Sequence, residues 1–138
     1  MWMTAPSNAI RNNGDNMLYS IDTLQPITNI PHKQEFDIWR SRLSDEEYNN
    51  IVIDLNSRIS EDEVHTSSWM PGAEWKGTVF NPIYEKACRG DVELSGKCFG
   101  LILWIVMMHR DEAWSFGRYE KDGIPIEGMT YFRIHLPR

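Results

Sequence analysis

Through the middle of this chain apolar residues recur at helical spacing, and towards the C-terminus they switch to alternation. Tyr48, Ile51, Val52, Leu55 and Ile59 stand at i, i+3, i+4, i+7 and i+11, the stripe of an amphipathic helix. Its start is written in Ser44-Asp45-Glu46-Glu47. Ser44 caps the first turn, Glu47 reaches back to the Ser44 amide, and the three acids sit at the positive end of the helix dipole. Upstream, Phe36, Trp39 and Leu43 share one face of a helix predicted over Pro31 to Leu43, with Pro31 suited to the first turn. Between Met17 and Ile30 apolar residues recur every three positions, which suits neither regular element, and Pro26 and Pro31 forbid a long helix.

Further along, Ser60-Glu61-Asp62-Glu63 repeats the capping pattern and predicts a short helical turn through His65. Asn81-Pro82 predicts another short helix to about Arg89, with Asn81 as its cap. Gly90 ends that helix and Asp91 caps the next, which runs to about Arg110. Leu101 to Met108 is apolar on every side, so this helix belongs at the centre. Ser95, Gly96 and Gly100 mark a narrow side where another backbone would approach closely. In the tail, Trp114 and Phe116 alternate with Ser115 and Gly117, and Tyr131, Arg133 and His135 alternate with Thr130, Phe132, Ile134 and Leu136. Period two means strands, and Asp122-Gly123 and Glu127-Gly128 supply turns, with a short middle strand at Ile124 to Ile126. The expected fold is α+β and mostly helical: a central buried helix at about 91–110, closed by a C-terminal antiparallel β-hairpin or small sheet. Residues 1–16, polar and Asn-rich, are expected as a flexible N-terminal segment, and 17–138 as a single globular domain.

Charge narrows the function. The formal net charge is −6 with a pI near 5.1, and no run of Lys and Arg offers the basic face a nucleic-acid binder needs. The longest nearly unbroken apolar run, Cys98 to Met108, is too short to span a bilayer, so no membrane partner is expected. Met1 to Ala9 lacks the basic start and apolar run of a signal peptide, which points to the cytoplasm. Cys88 and Cys98 fit buried free thiols there; there is no CxxC, no zinc-ligand spacing, and no metal or cofactor is expected.

Candidate chemistry centres on Ser68 to Tyr84, where two Trp, a Phe and a Tyr are threaded between two Gly and two Pro. Such a segment is a loop held in one shape. Trp69 and Trp75, with Trp114, would line a cleft on which Glu74, Arg118, Tyr131, Arg133 and His135 converge. Two arginines on a sheet face suit a carboxylate or phosphate. The competing account is that the aromatics fill the core and the arginines pair with surface acids. Acid–base or metal chemistry would use His65 beside Asp62 and Glu63, His109 beside Asp111 and Glu112, or His135 and Glu74, but there is no HExxH and no second His at helical spacing. No nucleophile motif is present: Leu94-Ser95-Gly96 is not a GxSxG elbow, and Cys98 lies among apolar neighbours. No P-loop or dinucleotide fingerprint appears either. Exposed aromatics, Trp2 among them, would instead serve as anchors for a protein partner, and a homodimer would extend the sheet.

The stretch Trp69 to Tyr84, followed by Phe99-Gly100, by Trp114 to Tyr119 and by Gly128 to Arg133, resembles a group of small bacterial proteins, some carried as integron (mobile gene) cassettes. The resemblance covers the C-terminal half to two thirds. It implies a bacterial, cytoplasmic, stand-alone protein, with no activity and no catalytic residues to carry over. Cassettes often carry accessory functions, toxins and their inhibitors included. The expectation is therefore a non-enzymatic binding domain, dimeric, with an aromatic-lined site under loop 69–84 for a small anionic or aromatic ligand or a protein. Two alternatives stand beside it: a small hydrolase or transferase using a His and carboxylate pair, and an acidic antitoxin- or immunity-like inhibitor of a basic partner.

Overall fold

Ser44 starts a helix because its hydroxyl accepts the Glu47 amide at 3.0 Å while its own amide donates to the Glu47 carboxylate at 2.9 Å, so both orphan donors are satisfied. The computed structural model describes residues 16–60, 62–65, 69, 71, 74–117, 120–121, 124–125 and 129–136, with backbone alone at 65, 120–121 and 124–125. In chain order the elements are β1 (Leu18–Tyr19), α1 (Lys33–Ser41), α2 (Asp45–Arg58), β2 (Glu63–His65), a π-helical segment (Ile83–Ala87), α3 (Val92–Met108), β3 (Trp114–Gly117), β4 (Glu120–Lys121), β5 (Ile124–Pro125) and β6 (Thr130–Arg133). Helices and a small mixed sheet give the α+β class expected from the pattern.

α3 is the spine. Asp91 caps it, accepting the Leu94 amide at 2.9 Å, and Cys98, Phe99, Ile102, Leu103 and Met107 are fully buried around its circumference. α1 buries Phe36 and Trp39, with Leu43 just beyond its end, and α2 buries Ile51 and Leu55, with Ile59 at its C-cap. Together with Leu18, Val64, Trp114 and Tyr131 these side chains form one hydrophobic cluster. Each such large side chain contributes about 1.5–3 kcal/mol through its removal from water.

The four-stranded sheet has the order β1-β3-β6-β2, with β1 parallel to β3 and the other pairs antiparallel. Leu18 lies opposite Trp114, Trp114 opposite Arg133, Phe116 opposite Tyr131, and Val64 opposite Tyr131, so these six share one face. α3 packs on that face, the Trp104 ring meeting Phe116 edge-on at 4.7 Å between centroids. β4 and β5 form a separate two-stranded ladder, Lys121 opposite Ile124. The Asp122-Gly123 and Glu127-Gly128 turns, and residues 1–15, lie outside the described residues.

Three expectations change. The Ser60–His65 capping pattern does not start a helix: Glu63 to His65 pair with β6, the Asp62 carbonyl accepts the Arg133 amide at 2.8 Å, and Val64 is buried. A ladder of backbone bonds and a buried valine outweigh one local cap. At Asn81-Pro82 the turn that follows is π-helical, with Pro82 at its N-cap position and no side-chain cap, and Asn81 Oδ1 is buried with no partner among the described residues. Gly100 has no close neighbour: a Cβ built there meets nothing within 4 Å. The ambiguous stretch after Met17 resolves into β1, which the Met108 carbonyl and the Trp114 amide hold through both polar groups of Met17, and a turn with Leu24 at φ +54°.

Candidate functional site

Beside its buried stripe, α2 carries a second row at i, i+4 and i+8: Tyr48 and Val52, both half-buried, and Asn56. On α3 the facing positions are Ile105 and Val106, and Ile105 is the residue between Leu101 and Met108 that keeps partial exposure. These rows line a groove of about 500 Å³, which is also lined by His109, Arg110, Asp111 and Glu112 as the chain leaves α3. That volume suits a small molecule.

The polar end of the groove is braced. Arg110 donates through Nη1 to Asn56 Oδ1 at 2.8 Å and through Nε to Glu112 Oε1 at 2.5 Å, tying the exit of α3 to α2. Glu112 Oε1 also accepts the Trp114 indole N–H at 3.1 Å. Partial burial pushes the Glu112 carboxyl up, but the Trp114 N–H, the Arg110 guanidinium and the charge of Arg133 together hold it below its ordinary value. His109 sits at the C-cap of α3, its amide donating to the Ile105 and Val106 carbonyls, where the helix dipole is negative. Asp111 and Glu112 against Arg110 leave this end with one net negative charge before the dipole is added.

The aromatic residues expected at a site are placed differently from one another. Trp75 is 2% exposed, stacked near Tyr84 and edge-on to Phe99. Trp114 and Tyr131 are 1% exposed on the inner sheet face, and burial pushes the Tyr131 phenol well above its ordinary range. Trp69 is partly buried against the core, and Glu74 is exposed. The register does bring Trp114, Tyr131 and Arg133 onto one face, with the Arg133 guanidinium 5.8 Å from the Trp114 ring centre and 3.7 Å from Asp62. Arg133 Nε is buried with no hydrogen-bond partner among the described residues. His135 lies beyond β6 and is exposed, the His65 backbone pairs with Thr130, and Arg118 lies outside the described residues. No cluster of three metal-ligating side chains occurs among the described residues, and none of their helices is long and apolar enough to cross a membrane.

The sequence offered His109 beside Asp111 and Glu112 as one of its candidate His and carboxylate groupings. Nothing local places Tyr48, Val52 and Asn56 beside them, because those residues lie more than 50 positions away along the chain and only tertiary packing brings them together. The row Tyr48-Val52 read simply as core. Comparison with protein-family models, with curated proteins and with solved structures gave no match.

Proposed function

We propose that this chain is a small-ligand-binding domain whose site is the groove between α2 and the C-terminal end of α3. The groove itself carries the reading: about 500 Å³ of concave surface with an apolar floor and a charged end. Val52, Ile105, Val106 and the Tyr48 ring would hold an apolar body, and the α3 terminus with Asp111 and Glu112 would face a cationic, hydrogen-bond-donating head. Binding is favoured over proton-transfer catalysis because Glu112, held anionic and already accepting two hydrogen bonds, is a poor base near neutral pH. The full burial of Trp75, Trp114 and Tyr131 moves the reading away from the 69–84 loop, since buried rings contribute stability and offer no contact surface.

The test is amide chemical-shift mapping with phenethylammonium, with phenylacetate as the same body carrying the opposite charge. Phenethylammonium is expected to move the amides of Val52, Asn56, Ile105 and His109 to Glu112, and phenylacetate to move them less. Val52→Trp, which fills the floor, is expected to remove the response while the melting curve keeps its cooperativity. Shifts confined to the 69–84 loop and the hairpin, or no saturable shift with either probe, would overturn the assignment.

A further inference from the structure

We propose, on the reading of the groove as a ligand site, that its occupant is an elongated monoammonium bearing at least one N–H, a protonated primary, secondary or tertiary alkylamine, and that Glu112 selects it. The length comes from α2. Tyr48, Val52 and Asn56 line the groove at i, i+4 and i+8, so it follows that helix for about two turns, roughly 12 Å at about 1.5 Å per residue. The polar level is that of Asn56, because Arg110 bridges Asn56 Oδ1 and the Glu112 carboxylate. The remaining helical lining, Val52, Ile105 and Val106, is apolar. A ligand charged at one terminus and apolar along the rest matches this order.

The head group is set by which oxygens and rings are open. Both hydrogen bonds to the Glu112 carboxylate, from Arg110 Nε and from the Trp114 indole, fall on Oε1, and Oε2 accepts none from the described residues. The side chain lines the groove and is 25% exposed, so Oε2 is an anchored acceptor left for a donor from outside the chain. The carbonyls of Ile105, Val106, Met107 and Met108 already accept the amides of His109, Arg110 and Met17, so the end of α3 supplies negative potential more than open acceptors. Arg133, the other cation acting on Glu112, has Asp62 at 3.7 Å, which leaves Asp111 and Glu112 against Arg110. A quaternary ammonium donates no hydrogen bond and is held by aromatic faces instead. Among the described residues, Tyr48 is the groove's one Tyr, Trp or Phe, and the Arg40 guanidinium lies 4.1 Å from its ring centre. Asp45 at 2.8 Å and the Leu43 carbonyl at 3.1 Å hold Arg40 there. The attraction of that ring for a cation is already used, and a second positive charge beside it would be repelled. The same guanidinium disfavours a diamine, whose far ammonium would sit at the level of Tyr48.

The experiment is amide chemical-shift titration of the intact chain at neutral pH with octylammonium, octyldimethylammonium, octyltrimethylammonium and 1,8-diaminooctane, below micelle-forming concentrations, repeated on Glu112→Gln. The response is read at Val52, Asn56, Ile105 and His109 to Glu112. Octylammonium and octyldimethylammonium, which differ in bulk but both carry an N–H, are expected to bind about tenfold more tightly than octyltrimethylammonium, the worth of one hydrogen bond to a charged group. The diamine is expected to bind more weakly than octylammonium, and so is butylammonium, by up to about fourfold per missing methylene. Glu112→Gln keeps an acceptor for Trp114 and loses the charge; it is expected to bring octylammonium and its trimethyl analogue to equal affinity, whereas a merely structural role would weaken both alike. Groove shifts with equal affinity for the dimethyl and trimethyl probes, or for amine and diamine, would overturn the proposal and leave the groove as a binding site. Undiminished discrimination in Glu112→Gln would overturn the role of Glu112. No groove shift with any probe would overturn both the proposal and the groove. Where the variant fails to fold, the ranking of the probes on the wild type decides.

Discussion

Replacing Gly100 with Ala is expected to stabilise this protein. Gly100 lies inside α3 with helical φ, and a Cβ added there meets nothing within 4 Å. Glycine in a helix interior costs about 0.8–1 kcal/mol relative to alanine, because it loses more backbone freedom on folding. The position is half-exposed, so the new methyl adds little burial and creates no clash. The expected gain is about 0.5–1 kcal/mol. For 138 residues the unfolding entropy is about 290 cal/mol/K, from roughly 2.1 cal/mol/K per residue, so the melting temperature should rise by about 2–3 °C. Gly90→Ala provides the contrast. Its φ of +84° lies in the left-handed region, the nearest contact to an added Cβ is Tyr84 Oη at an ordinary 4.0 Å, and the cost is therefore dihedral, about 1–2 kcal/mol. Calorimetry and urea titration of both variants at neutral pH measure the two signs. A Gly100→Ala protein that melts lower than the parent would refute the reasoning: something would then approach that side of α3 closely, as Ser95, Gly96 and Gly100 first suggested.

Ser44→Ala removes the hydroxyl that accepts the Glu47 amide, while the backbone amide at position 44 can still donate to the Glu47 carboxylate, and it is expected to cost about 1 kcal/mol, read as a lower urea midpoint at unchanged slope. Stability should fall in acid through Glu47 and Glu112. Glu47 is lowered first by the Lys86 ammonium and then by the Ser44 amide; Glu112 is lowered although burial opposes it, by Trp114, Arg110 and Arg133. Both folded pKa values lie below the unfolded ones, so their contribution is complete above the unfolded value and is lost as pH falls through the folded value. Glu112→Gln should flatten the acid limb of stability against pH, and an unchanged limb would show that the Glu112 contacts do not persist in solution. Leu103→Ala, at a fully buried position on α3, should cost about 2–5 kcal/mol and lower the urea midpoint accordingly.

Reading the chain alone goes far for elements held by interactions three or four residues apart. The Ser44–Glu47 box, the Asp91 cap and the buried circumference of α3 are all local, so the residues that make them lie side by side in sequence. The period of Trp114 to Gly117 and Thr130 to Arg133 likewise announces strands. What period two does not say is which strands pair, and that choice placed Tyr131 and Arg133 on the inner face with Trp114. Non-local pairing also turned Glu63–His65 into a strand against its own capping signature and made two residues after Met17 a parallel edge. The candidate site straddles the two: His109, Asp111 and Glu112 lie together in sequence, but their meeting with Tyr48, Val52 and Asn56 is decided by packing. The groove is lined by residues of two separate helices, and the contact between Arg110 and Asn56 spans 54 residues of chain. Local sequence determined which segments are helices and strands, since caps and periods act within a turn; tertiary packing decided which side chains meet, since burial rewards contacts without regard to their distance along the chain.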